Sequence, residues 1–132
     1  MDVFIFQASL YCDSCGRKIR ESLDAKGEQP ADVRDERTYD SDEYPKGPYQ
    51  DAGGESDSFQ HCESCETFLR NSLTTQGVSY AVEALQRWLD DSSGRPEVLD
   101  QWADELKKYS LSMTSKQYST LLAYLKKREV SS

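Results

Sequence analysis

The chain has 132 residues, of which 36% are hydrophobic and 30% are charged, and its formal net charge is −8. This length suits one domain, or a domain with an appended helical segment, and it excludes a large multidomain enzyme. The negative charge disfavours nonspecific binding to duplex DNA or anionic lipid, because attraction to phosphate requires a basic surface. The low hydrophobic fraction predicts a thin core that needs a further source of stability.

The N-terminal segment does not have the pattern of an export signal. It begins with an acidic residue where such signals are basic, and its apolar run ends at Gln7. No stretch approaches the roughly 20 apolar residues that cross a bilayer. We therefore expect a cytoplasmic protein, in which thiols are more often metal ligands or redox groups than disulfides. The run from Val3 to Tyr11 predicts a short strand or a hairpin.

All four cysteines fall into two CxxC pairs, Cys12/Cys15 and Cys62/Cys65. Two residues between thiols let both sulfurs of one tight turn, here called a knuckle, point at the same ion. Two knuckles supply the four thiolates of a tetrahedral site, and soft thiolates favour zinc over magnesium or calcium. Four protein ligands leave no position for water, so we predict a structural Zn²⁺ ion rather than a catalytic one.

The two knuckles lie in segments that align without a gap. Residues 12–23 and 62–73 share both cysteines, the serine between them, and a later arginine, serine and leucine. We predict that each knuckle runs into a helical turn with an inward apolar residue, Ile19 in the first and Leu69 in the second. Two such halves would be related by a pseudo-twofold axis through one ion, with helix N-termini favouring the thiolates.

Other interpretations of the cysteines stay open. Rubredoxin-like iron uses the same ligands, although these knuckles lack that family's proline and glycine. A dithiol redox site accounts for the order of strand, CxxC and helix at the first pair, but no βαβ pattern follows. Four cysteines without metal are disfavoured by the duplicated spacing. His61 is the single histidine, and we expect it beside the site or at the surface.

The net charge resides in the middle of the chain, where residues 31–66 carry eleven acidic and three basic side chains. Prolines and glycines in the predicted loop, residues 31–60, exclude a long helix or a central strand. The loop either packs tyrosines over the knuckles or forms an acidic, aromatic surface for a basic partner. The candidate partner-binding residues are Tyr39, Asp40, Asp42, Glu43, Tyr44 and Tyr49. A calcium loop is the third interpretation, but the required glycine is absent.

Three amphipathic helices are predicted after the second knuckle. Apolar residues recur at steps of three and four over 78–91, and Ser92-Ser93-Gly94 ends this helix. Pro96 suits the first turn of the next helix, whose apolar stripe extends to Tyr109. Ser115 is the candidate cap of the third helix. Its apolar face is predicted to comprise Tyr118, Leu121, Leu122 and Leu125.

The predicted fold class is mainly α with a small β component. A zinc-binding module over residues 1–74 precedes a helical portion over residues 75–132, and the two are either packed as one domain or separate. We expect both tryptophans of the helical portion to belong to its core.

No catalytic constellation is recognisable in the sequence. With one histidine, a Ser-His-Asp or Cys-His site would need an unusual geometry, and no nucleotide-phosphate motif occurs. We therefore predict a non-enzymatic protein that binds a macromolecular partner, a protein or nucleoprotein. One alternative is a nucleic-acid-binding module similar to a zinc ribbon, which would use Arg17, Lys18, Arg20 and residues 126–128. The other is a dithiol redox protein.

The run from Tyr39 to Cys65, followed by Phe68-Leu69 and Leu73-Thr74, resembles small CxxC…CxxC proteins encoded by bacteriophages, prophages and related metagenomic sequences. The resemblance implies a zinc-binding fold and a mobile-element origin, but no activity, because those proteins are mostly of unknown function. A phage-encoded protein would lie in the cytoplasm of a host cell, and one version of the binding hypothesis is that it acts on a host or defence factor. Glu66 stands where such sequences often have glycine.

Overall fold

The computed structural model describes residues 1–131, with side chains through Glu129. These residues form four α-helices and a three-stranded sheet, which confirms the predicted class, mainly α with a small β component. The chain divides into two units. The N-terminal unit comprises Met1–Gly54 and Gln60–Ser72, and the C-terminal unit comprises Glu55–Phe59 and the chain from Leu73 onward. Among the described residues, no helix has the length and apolar character that spanning a membrane requires.

The sheet of the N-terminal unit is antiparallel and has the strand order β2-β1-β3. Its strands are β1 (Val3–Phe6), β2 (Ser9–Cys12) and β3 (Lys46–Tyr49). β1 and β2 form the predicted hairpin, in which Val3 lies opposite Cys12. β3 lies at an edge of the sheet, where its Gly47 and Pro48 are tolerated.

Helix α1 (Asp13–Ala25) begins inside the first knuckle, directly after Cys12. Gly16 lets this helix approach β1 closely, because a Cβ atom at that position would overlap the ring of Phe4. The guanidinium of Arg20 lies 4.7 Å from the centroid of the same ring and donates a 2.7 Å hydrogen bond to the carbonyl of Pro45. Phe4 is therefore fully buried where α1, β1 and the segment before β3 meet.

The C-terminal unit contains the three predicted helices. They are α2 (Thr75–Asp91), α3 (Pro96–Leu106) and α4 (Ser115–Ser131). Helix α2 is capped by Thr74, whose hydroxyl accepts from the backbone N–H of Gly77, and it ends at Ser92 in the left-handed conformation. Pro96 occupies the first turn of α3 as predicted. The end of α2 and the start of α3 agree with the prediction, whereas α2 begins at Thr75, before the predicted start at residue 78.

Two details of the helical prediction are wrong. Tyr109 lies beyond α3, in a 3₁₀ segment, and its hydroxyl accepts from the backbone N–H of Leu73. The cap of α4 is Thr114 rather than Ser115. The Thr114 hydroxyl accepts from the N–H of Gln117, and the Gln117 side chain accepts from the N–H of Thr114. This reciprocal pair is a capping box, which satisfies two backbone donors at once.

The buried face of α4 also differs from the predicted one. Leu121 and Tyr124 are buried, but Tyr118 is 43% exposed and Leu122 is 48% exposed. Helix α4 is rotated because Tyr124 faces the unit's interior, where its ring lies 5.0 Å from that of Trp88 and its hydroxyl donates to Asp100. Both tryptophans of the unit are half-buried and pack on aromatic rings. Trp88 packs on Tyr124, and Trp102 packs on Phe59.

Candidate metal centre

The four cysteines of the two knuckles lie together. Their Sγ atoms are all within 4.8 Å of one another, and those of Cys12 and Cys65 are 3.7 Å apart. A tetrahedral ion with metal–sulfur distances of ~2.3 Å requires sulfur–sulfur distances of ~3.8 Å. The donor set and its spacing therefore fit one metal ion, held by Cys12, Cys15, Cys62 and Cys65.

The first knuckle is built by the junction of a strand with a helix. Cys12 is the last residue of β2, and Cys15 lies in the first turn of α1. Backbone N–H groups at a helix N-terminus have no partner within the helix and carry partial positive charge. The start of α1 therefore opposes, without outweighing, the burial that raises the pKa values of the adjacent thiols of Cys12 and Cys15.

The second knuckle is a hydrogen-bonded turn attached to the edge of β2. The N–H of Cys62 donates to the carbonyl of Thr67 over 2.8 Å, and the N–H of Glu66 donates to the carbonyl of Cys62. The N–H of Glu63 donates to the carbonyl of Leu10, a residue of β2. These three bonds place Cys62 and Cys65 beside Cys12.

The predicted helical turn after the second knuckle is wrong. Phe68 instead forms an antiparallel bridge with His61, and the N–H of Leu69 donates to the carbonyl of Gln60. The chain reverses at Glu66, whose φ is +63°, a left-handed conformation that does not continue a right-handed helix. The two halves therefore do not share the predicted helical symmetry, although Leu69 is fully buried as an inward apolar residue.

His61 lies beside the knuckle and stabilises its turn. Its ring stacks on that of Phe68, with centroids 5.1 Å apart, and its Nδ1 lies 3.1 Å from the carbonyl oxygen of Glu66. A carbonyl accepts only, so the Nδ1 hydrogen is the one donated. The described contacts give His61 a role in holding the turn closed.

The cysteines differ in their burial. Cys62 is 1% exposed and Cys12 is 9% exposed, and both pack in a core cluster with Val3, Ala52 and Leu69. Cys15 is half-buried, and Cys65 is exposed to solvent. The site is therefore shielded from water on the side of Cys12 and Cys62, which faces the core, and is exposed at Cys65.

The local environment shifts the pKa values of the thiols in opposite directions. Burial, followed by contacts with neighbouring thiols, raises the pKa of Cys15 to about 12, and burial also raises that of Cys12. Hydrogen bonds from the hydroxyl and backbone N–H of Thr67 lower the pKa of Cys65 to about 6. Adjacent thiolates repel one another in the absence of a cation, because like charges disfavour each other. Metal binding at this site therefore releases protons.

The structure places the predicted partner-binding tyrosines in the interior. Tyr39 and Tyr44 are buried and pack edge to face, with centroids 5.7 Å apart. The hydroxyl of Tyr44 donates to Asp24 of α1, and the half-buried Tyr49 donates to Glu36. These internal partners explain why the tyrosines face the fold rather than a partner.

The predicted acidic residues are, in contrast, accessible. Asp40, Asp42 and Glu43 are exposed on one turn, in which the Asp40 carboxylate accepts from the backbone N–H of Asp42. The carbonyl of Asp40 accepts from the N–H groups of Glu43 and Tyr44. The N–H of Gln7, in the β1–β2 turn, donates to the carbonyl of Ser41. We call Asp40, Asp42 and Glu43 the acidic turn, which is ordered by backbone hydrogen bonds on both of its sides.

Several basic side chains proposed for phosphate binding have internal partners. Arg17 forms a 3.0 Å ion pair with Asp13, and Arg20 is bound to the carbonyl of Pro45. Arg128 contacts Asp100 and Asp104. The ion pairs of Arg17 and Arg128 offset part of the positive charge that the nucleic-acid alternative requires, and the carbonyl bond of Arg20 occupies donors that a phosphate would need.

Taken together, the fold and site define a small, mainly helical protein with a four-cysteine centre at the junction of a hairpin, a helix and a turn. No protein-family model, curated protein or solved structure matches the chain.

The left-handed conformation of Glu66 gives a testable prediction. This conformation costs a residue with a Cβ atom about 1 kcal/mol relative to glycine. We therefore expect Glu66→Gly to stabilise the N-terminal unit by about that amount, measured by urea denaturation of the metal-loaded protein. Glu63→Gly is the matched control, since Glu63 is not among the residues with positive φ, and it should give no gain. Equal effects of both substitutions would show that strain at Glu66 is not the cause.

Proposed function

We propose that the protein is a non-enzymatic accessory protein, stabilised by one structural Zn²⁺ ion, that binds a protein or nucleoprotein partner in the cytoplasm of a host cell. The observation that carries the proposal is the convergence of four thiols within 4.8 Å from two distant parts of the chain. Four cysteine ligands are the donor set of structural zinc sites, which have no open position for a substrate.

The residues of the chain provide the site, and the ion supplies a cross-link between them. Cys12 and Cys15 hold the end of β2 and the start of α1, and Cys62 and Cys65 hold the second knuckle. The apolar cluster around Val3 and Leu69 excludes water from one side of the thiolates. Such a site stabilises the fold and leaves no ligand position for a substrate. A closed site of this kind favours a binding role over a catalytic one.

Metal analysis tests the zinc assignment directly. We expect native mass spectrometry of the purified full chain to show one zinc ion per molecule. A bound iron with visible thiolate-to-iron absorption would favour the rubredoxin-like alternative. A metal-free protein with reactive thiols that cycle between dithiol and disulfide would favour the redox alternative.

The acidic turn is the surface that we assign to the partner. Its three carboxylates are exposed, and its backbone is ordered by the hydrogen bonds of Asp40 and Ser41. Preorganised charge of this kind steers association with a basic surface. A protein whose basic surface binds nucleic acid is one such partner. The carboxylates of the acidic turn would then occupy the positions of the nucleic-acid phosphates. A phage-encoded protein acting on a host or defence factor would use the surface in this way.

Neutralising the acidic turn tests this assignment. The variant Asp40→Asn/Asp42→Asn/Glu43→Gln removes three charges and keeps the side-chain acceptor of residue 40 that orders the turn. Exposed ion pairs contribute roughly 0.5 kcal/mol each, so we expect the affinity for the captured partner to fall about tenfold. The measurement is a pull-down from host lysate followed by titration of the purified partner at several salt concentrations.

The matched control removes the same number of exposed charges elsewhere. Glu21→Gln/Glu28→Gln/Glu83→Gln should leave binding and its salt dependence unchanged, since these residues lie outside the acidic turn. A partner that binds both variants equally well would contradict the assignment of the acidic turn. Zinc content of all three proteins, measured in parallel, separates this outcome from loss of the metal site.

A further inference from the structure

One sulfur of the candidate metal centre stands apart from the others in its accessibility. Cys12 and Cys62 are buried, Cys15 is half-buried, and Cys65 is exposed. In a zinc-bound centre all four residues are thiolates, the form of cysteine that reacts with electrophiles. Because access then decides which thiolate reacts, Cys65 is the position that a dissolved reagent reaches first.

The exposed sulfur also lies next to a cysteine of the other knuckle. The Sγ atoms of Cys65 and Cys12 are 3.7 Å apart, and a disulfide requires ~2.0 Å. Cys65 belongs to a surface turn and its side chain is exposed, so core packing does not fix its position. Cys12 is held at the end of β2 and packs in the core cluster.

We propose that Cys65 is an oxidation site for peroxides, and that Cys12 resolves the oxidised Cys65 as a disulfide that joins the two knuckles. This inference rests on the proposed zinc centre and adds a means of regulating it. The class of reagent is a two-electron oxidant of small size, of which hydrogen peroxide is the simplest.

The reaction balances in two steps. The Cys65 thiolate attacks one peroxide oxygen, so that a sulfur–oxygen bond forms, the oxygen–oxygen bond breaks, and hydroxide leaves to take up a proton. The Cys12 thiolate then attacks the Cys65 sulfur, so that the disulfide forms, the sulfur–oxygen bond breaks, and a second hydroxide is protonated. Two thiolates, one hydrogen peroxide and two protons thus give one disulfide and two waters.

The position of this disulfide determines its effect on the fold. Loss of two thiolate ligands releases the zinc ion, because Cys15 and Cys62 alone do not fill a tetrahedral site. A bond between Cys12 and Cys65 still holds the second knuckle covalently against β2, whereas a bond within either knuckle would leave the two stretches without a covalent link. Oxidation therefore exchanges one cross-link for another, and reduction with added zinc reverses it.

The experiment uses the zinc-loaded full chain with hydrogen peroxide as the probe. Zinc release is followed with a chromogenic chelator, and disulfides are mapped by mass spectrometry of peptides from samples quenched with an alkylating reagent. We expect one zinc ion to be released per disulfide and the first disulfide to join Cys12 with Cys65. Dithiothreitol and zinc should restore the starting mass and metal content.

A second measurement does not depend on disulfide formation. Limiting iodoacetamide should alkylate Cys65 several-fold faster than Cys12, Cys15 or Cys62 in the zinc-loaded chain. A first disulfide other than the one between Cys12 and Cys65, or faster alkylation of another cysteine, would overturn the inference. Zinc content measured before oxidation separates the two proposals. A chain that never binds zinc contradicts the proposed function. A zinc-loaded chain with another order of thiol reactivity contradicts only this inference.

Discussion

The substitution Cys62→Ser is expected to unfold the N-terminal unit and to leave the helices of the C-terminal unit folded. Cys62 is the most buried of the four thiols, and its loss removes a ligand on the side of the site that faces the core. Structural zinc contributes on the order of 10 kcal/mol to small sites, which matches the whole stability of many domains. The helices of the C-terminal unit are held by their own apolar core, which includes Val82, Leu85 and Leu106.

Hydrogen exchange measured by mass spectrometry checks this expectation segment by segment. In Cys62→Ser, and in the wild-type chain treated with a chelator, peptides from β1 and from residues 60–72 should lose protection, whereas peptides from α2 should keep it. Ser14→Ala is the matched control, because Ser14 lies within the first knuckle, is exposed, and is not a ligand. Unchanged protection around both knuckles after metal removal would show that the ion does not stabilise this unit.

The substitution Phe4→Ala should have the next largest effect, a loss of about 3–5 kcal/mol. Phe4 is fully buried, Gly16 leaves no room between α1 and its ring, and Arg20 packs over the ring. Removing the ring therefore leaves a cavity that a helix and a sheet cannot close without moving. Urea denaturation with saturating zinc measures the change in the free energy of unfolding.

Phe6→Ala is the control for this prediction, since Phe6 belongs to the same strand but is only half-buried. We expect it to cost clearly less than Phe4→Ala. If both substitutions cost the same, the burial of Phe4 against α1 is not the main apolar contribution to this unit.

Local sequence signals predicted much of the fold. Ser92 and Pro96 act on the backbone within one helical turn, so the end of α2 and the start of α3 follow from neighbouring residues alone. The meeting of the knuckles was also predictable, because two CxxC pairs supply the four donors of one tetrahedral site.

Features set by distant parts of the chain were not predictable in the same way. The second knuckle repeats the first in sequence but ends in a bridge between His61 and Phe68, because pairing with the preceding segment outweighs helical propensity. The burial of Tyr44 depends on Asp24 of α1, which lies 20 residues earlier. The left-handed φ of Glu66 was not predicted, because glutamate has no local preference for that conformation.

The acidic turn lies within a stretch of 46 residues that begins after Cys15 and ends before Cys62. When metal is bound, the cysteines at both ends of this stretch are held at one site. The stretch then has fewer conformations available than it has without metal. Metal binding therefore lowers the conformational entropy of this stretch before a partner binds, and the entropic cost of partner binding is smaller. Under the proposed function, linkage requires that zinc binding and partner binding strengthen each other, although no carboxylate of the acidic turn belongs to the four-cysteine site.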